Sequence, residues 1–127
     1  MPAATTRRAI DPSVALANSL FMATVVFGDF EWDDRKAASS MKKHGVSFEE
    51  AVTALADPNA LTAPDMAEQD RWITIGLSAL LKVLFVVHCE VVSAGRVRII
   101  SARKATPAQR RKYDEEDRTS EAPGRSR

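Results

Sequence analysis

The period of apolar and polar positions changes near residue 70, from helical spacing to strand spacing. Ahead of that point, Val25-Val26-Phe27 leads into Phe30-Glu31-Trp32, where aromatics alternate with acids as on a half-buried strand, so a first strand is expected over residues 25–32. Asp33 or Asp34 is placed to cap a helix over about 34–44, in which Ala37, Met41 and His44 recur at i, i+4 and i+7 and Gly45 acts as the stop. Ser47-Phe48-Glu49-Glu50 has the form of a capping box, and Phe48, Val52 and Leu55 mark one face of a second helix over about 48–56 that ends at Asp57-Pro58.

A loop rich in Pro, Asp and Ala follows, and the pattern then alternates. Residues 71–77, 82–92 and 96–103 read as strands of an antiparallel meander, the last two joined around Ser93-Ala94-Gly95. Thr106-Pro107 supplies an N-cap and a first-turn proline for a final helix bearing Arg110, Arg111 and Tyr113. The expected class is α+β, with an antiparallel sheet of about four strands, two helices ahead of the meander packed on it and a C-terminal helix.

The 127 residues suit one domain, expected over 22–116. Residues 1–21 read as an extension, disordered or preceding an alternative start at Met22. Asn18 and Ser19 interrupt their apolar run, and the acids from Asp29 to Asp34 stand where a signal-peptide cleavage region would be. Residues 117–127 read as a disordered tail. No run of about 20 apolar residues occurs, so no membrane span is expected and the protein is read as cytoplasmic.

Composition narrows the chemistry. With 45% hydrophobic and 28% charged residues, a wholly disordered chain is excluded. Cys89 is the single cysteine, which excludes an internal disulfide, and it has only His44 and His88 beside it, so no metal site is expected. No glycine-rich phosphate loop or dinucleotide fingerprint is present, so no cofactor is expected. Net charge is only +1, yet Arg96, Arg98, Arg103, Lys104, Arg110, Arg111 and Lys112 follow one another with no acid between them.

Nucleophilic catalysis by a Cys–His pair is disfavoured, because His88 and Cys89 are adjacent on a strand and point to opposite faces. Both read as structural residues, and His44 reads either as a partner of the helix C-terminus or as a catalytic group. The remaining set is Arg71, Lys82, Arg96, Arg98, Arg103 and Tyr113 on the sheet or the following helix. On a regular strand Arg96 and Arg98 share one face. Such cations suit a phosphodiester, whose transition state gathers negative charge, and they equally suit surface salt bridges.

Five ordered blocks carry a resemblance: Phe30-Glu31-Trp32-Asp33, Arg35-Lys36-Ala37-Ala38, Lys43 through Ala51, Arg71-Trp72-Ile73-Thr74-Ile75-Gly76 and Arg98 through Thr106. Over residues 22–116 the chain resembles the BrnT toxins of bacterial type II toxin–antitoxin modules. The resemblance implies a RelE-like fold and an endoribonuclease that arrests growth. It also implies neutralisation by a BrnA-like ribbon-helix-helix antitoxin and contact with operator DNA only through that antitoxin. A dimeric antitoxin leads us to expect a 2:2 complex. The family often has Asn at the position of Ser40, Gly-Arg at Leu81-Lys82, Glu at Gln109 and a histidine near Asp65.

The expected catalytic set is therefore Arg98, Arg103, Lys82 and Arg71, with Tyr113 and His44 after them. Antiparallel pairing is expected to bring Lys82 and Arg98 together, and Arg103 and Tyr113 to the same phosphate. Two other readings stay open, a catalytically weak co-repressor held by its antitoxin and a non-catalytic RNA-binding protein.

Overall fold

Gly28, with φ at 62°, turns the chain between Phe27 and Phe30 and divides the expected first strand into a hairpin. The computed structural model describes residues 23–125, with side chains through Glu116, and the extension expected over 1–21 lies outside the described residues. The hairpin strands are β1, Thr24–Phe27, and β2, Phe30–Asp33. Helix α1 spans Asp34–His44 and α2 spans Phe48–Leu55. Strands β3, Leu61–Pro64, β4, Trp72–Leu77, β5, Val83–Val91, and β6, Arg96–Lys104, follow, and α3 runs over Pro107–Arg125. Helix α3 thus continues into the segment 117–127 that the sequence assigns to a tail.

The class is α+β, as expected, but the sheet is not a four-stranded antiparallel one. Six strands among the described residues pair in the order β1-β2-β6-β5-β4-β3, and β2 lies parallel to β6 with Glu31 opposite Arg98. A parallel neighbour needs a long crossover, which the chain supplies through both helices and the meander; local periodicity carries no trace of that pairing. Strand β3 arises inside the expected loop because Leu61–Pro64 adds to the edge of β4. Its proline is tolerated there since an edge strand leaves half its N–H groups unpaired.

The caps form largely as the sequence suggests. Asp33 accepts from the N–H groups of Arg35 and Lys36 at 2.8 and 3.2 Å, and Gly45 closes α1 with φ at 67°. Ser47 accepts from the Glu50 N–H at 2.9 Å, but the Glu50 carboxylate leaves the capping box and turns to Ser78 and Lys82. At α3 the box is complete, with Thr106 and Gln109 bonded reciprocally at 2.9 and 3.2 Å.

The core lies between the helices and one face of the sheet. Trp32, Leu84, Val86, Ile99 and Ala102 point from the strands at Val46, Phe48, Ala51 and Ala54, and all nine are buried. Small Ala51 and Ala54 let α2 sit close to the sheet, close enough that a Cβ on Gly76 would meet the Ala54 carbonyl at 2.4 Å. The inward stripe of α1 is Ala37 with buried Ser40, while Met41, expected on that stripe, is half exposed.

One irregularity shapes the site. β6 pairs with β5 at His88↔Ile99 and resumes at Val87↔Ser101, which leaves Ile100 as an extra residue. The bulge shifts the alternation, so Ile99 and Ala102, three apart, both face the helices.

Candidate active site

Helical spacing from the Asp33 cap sets Lys36, Ser40 and Lys43 on one stripe of α1, with His44 beside them at the last helical position before Gly45. The stripe faces the bulge of β6. Between them lies a cavity of about 350 Å³ lined by Lys36, Ser39, Ser40, Lys43, His44 and Phe48 from the helices, Arg71 from the start of β4, and Ile100, Ser101 and Ala102 from the bulged strand. Arg71 enters after Asp70, whose φ of 66° turns the chain into the strand. Ser40 ties the two walls together, its buried hydroxyl lying 2.8 Å from the Val46 carbonyl and 3.0 Å from that of Ala102.

The lining contains no carboxylate. Among the described residues the salt bridges are made by Lys82, Arg96 and Arg98, and none by Lys36, Lys43 or Arg71. Three cations and a histidine gathered around a cavity without a counter-charge raise the local positive potential, and an anion such as a phosphodiester is the ligand that relieves it. Lysine supplies compact positive charge and arginine a planar fork matched to two phosphate oxygens.

His44 and Arg71 are thus two expected site residues that the fold brings together. The other four go elsewhere. Arg98 and Arg96 both donate to the buried carboxylate of Glu31. That carboxyl is held below the ordinary glutamate range, first by the Arg96 hydrogen bond and then by Arg98, against the opposing effect of burial. Lys82 lies 3.7 Å from Glu50, whose other oxygen accepts from Ser78 at 2.7 Å. Arg103 stacks on the Phe85 ring at 4.0 Å and donates to Gln109 at 3.1 Å. Buried Tyr113 donates to Asp57 at 2.6 Å.

The expected meeting of Lys82 and Arg98 does not occur. Leu84 pairs with Lys104 and Cys89 with Arg98, so the two cations stand seven residues apart along β5, about 23 Å at the rise of a strand. Arg103 and Tyr113 are each engaged with another side chain, Gln109 and Asp57 respectively. His88 is a hydrogen-bonded sheet residue, as read, with Nε2 2.8 Å from the Thr74 hydroxyl. Cys89 is half-buried on the strand and not a core residue.

Sequence reasoning missed Lys36 and Lys43. Their signal was the i, i+4, i+7 spacing of Lys36, Ser40 and Lys43, which competes with the apolar reading of Ala37 and Met41 on the same helix.

A family model described as ribonuclease toxin, BrnT, of type II toxin–antitoxin systems matches residues 32–109. Among solved structures, the crystal structure of the Brucella abortus ribonuclease toxin BrnT is similar, with 27% sequence identity, a TM-score of 0.49, and coverage of 59% of this chain and 92% of that one. A comparison with curated proteins gives no match. No helix among the described residues is long and apolar enough to cross a membrane.

Proposed function

Because this chain belongs to the BrnT family of ribonuclease toxins from type II toxin–antitoxin systems, we propose that it is a metal-independent endoribonuclease acting at the cavity of Lys36, Lys43, His44 and Arg71. The observation that carries the assignment is the collection of these four groups around one cavity with no carboxylate in its lining. The matched segment 32–109 contains all four.

The reaction suited to these residues uses the RNA 2′-hydroxyl as nucleophile. His44 accepts its proton as the new bond to phosphorus forms. Lys43 gives a proton to the departing 5′ oxygen as that bond breaks, leaving a 2′,3′-cyclic phosphate and a 5′-hydroxyl. Arg71 and Lys36 hold the non-bridging oxygens, where negative charge grows in the transition state. Cleavage of cellular RNA in this way arrests growth.

The partner in this reading is a BrnA-like ribbon-helix-helix antitoxin that covers the cationic cavity with acidic side chains. Its own dimerisation gives a 2:2 complex, and operator DNA is reached through it alone. The test compares His44→Ala, Arg71→Ala and Arg98→Ala for RNA cleavage in vitro and for growth arrest on induction. Replacing His44 or Arg71 is expected to lower cleavage by roughly 10²-fold or more, with Arg98→Ala near the parent when equal amounts of folded protein are compared. Loss of cleavage in Arg98→Ala alone would move the site to the opposite face of the sheet.

A further inference from the structure

Trp72 directly follows Arg71 and lines a second cavity, of about 270 Å³, with Thr62, His88, Glu90 and Val97. The register explains the grouping. Trp72 stands opposite His88 and Glu90 opposite Val97, so side chains of three neighbouring strands share one face. The volume is a little below the roughly 300 Å³ at which pockets for drug-sized ligands begin, which suits a group the size of one nucleobase.

Three features of the lining bear on what would fill it. Trp72 is 40% exposed, an unusual loss of burial for the largest side chain, and it offers a flat aromatic surface at the cavity. The His88 ring is fixed through Thr74, whose hydroxyl lies 2.8 Å from Nε2 and 2.8 Å from the Thr62 hydroxyl. Burial pushes the His88 pKa down, against the pull of Glu90, so the ring is neutral at neutral pH and, with Nε2 engaged by Thr74, leaves Nδ1 as its remaining polar atom. Glu90 is exposed and makes no salt bridge among the described residues.

A carboxylate beside an aromatic surface repels phosphate and favours a flat ligand with two N–H donors on one edge. Guanine presents that pair, N1–H and the N2 amine. The corresponding edge of adenine pairs one donor with one acceptor, and cytosine and uracil each offer a single donor group there. We propose that this cavity binds a guanine base of the RNA whose phosphate lies in the neighbouring cationic cavity, with Trp72 stacking on the base and Glu90 accepting from N1–H and N2–H. The proposal rests on the ribonuclease reading, and the adjacency of Arg71 and Trp72 places base and phosphate sites on either side of one peptide unit.

Titration of the full chain with guanosine, adenosine and cytidine 3′-monophosphates, followed by tryptophan fluorescence, tests it. Trp32 is buried, so quenching reports Trp72. Guanosine monophosphate is expected to bind at least tenfold more tightly than the other two. Glu90→Gln should lose tenfold or more of that affinity, and Trp72→Phe should abolish the quenching while binding followed by calorimetry weakens by about tenfold. Equal affinity for the three nucleotides, or unchanged guanosine monophosphate affinity in Glu90→Gln, overturns the proposal. The two readings fail separately: selective binding by a protein that leaves RNA intact sustains the guanine site and sinks the ribonuclease, whereas cleavage after every base alike does the reverse.

Discussion

Arg98 donates through Nη1 to Oε2 of Glu31, the residue opposite it where β2 and β6 run parallel. Arg96 Nε takes the other oxygen at 3.0 Å, so the buried carboxylate is shared between two guanidinium groups that flank Val97. Two cations that look from spacing like a phosphate clamp instead fasten the N-terminal hairpin to the centre of the sheet. Arg98→Ala is therefore expected to cost stability, roughly 1.5–3 kcal/mol as for hydrogen bonds to charged groups, in equilibrium urea denaturation, while cleavage per folded molecule changes little.

The same pair sets an acid dependence. A carboxyl held below its ordinary range in the folded state stabilises the fold above the unfolded value and loses that contribution as pH falls through the folded value. Glu31 and Asp57 both act in this sense. For Asp57 burial opposes the shift but is outweighed by the Tyr113 hydroxyl and the N–H groups of Leu77 and Asn59. Stability should fall on acidification below the ordinary carboxylate range. In Arg96→Ala/Arg98→Ala only burial acts on Glu31, so its contribution should change sign, and denaturant midpoints across acidic pH would reveal a shallower fall.

Ser40 has one hydroxyl hydrogen for two carbonyls, those of Val46 and Ala102. Ser40→Ala leaves both without this donor and is expected to lower stability by roughly 1–3 kcal/mol. Ser40→Asn brings two amide hydrogens and borders the cavity, so it should retain the parent's thermal midpoint. A midpoint for Ser40→Ala equal to the parent's would show that the bridge between α1 and β6 carries no stability.

Leu81 adopts φ at 65° in the β4–β5 turn and is 76% exposed. A branched side chain there pays the left-handed penalty and recovers little by burial. Leu81→Gly is expected to raise stability by about 1 kcal/mol, the left-handed cost less the extra entropy of glycine in the unfolded chain, readable as a higher urea midpoint.

Gly76 presents the opposite case, since its backbone is ordinary and its space is not. A methyl group there would press on the Ala54 carbonyl. Gly76→Ala should cost roughly 1–3 kcal/mol by forcing α2 away from β4, and a thermal midpoint within a degree of the parent would contradict the close packing.

The helices, their caps and the three long strands were legible in the sequence, because Asp33, Gly45, Ser47 and Thr106-Pro107 act through neighbours a few residues away and the hydrophobic period records which side is buried. The reciprocal cap that Gln109 makes with Thr106 was not read, although it too acts over three residues. The parallel pairing of β2 with β6, the edge strand β3 and the bulge at Ile100 were not legible, since each depends on a partner distant in the chain. That difference decided the candidate site. Local spacing grouped Arg96 with Arg98 but could not show that the one carboxylate of Glu31, 67 residues from Arg98, engages both. It held Arg71 apart from Lys36, Lys43 and His44 of α1, and only the packing of α1 on the bulged strand gathered all four around one cavity, because charge acts through space and not along the chain.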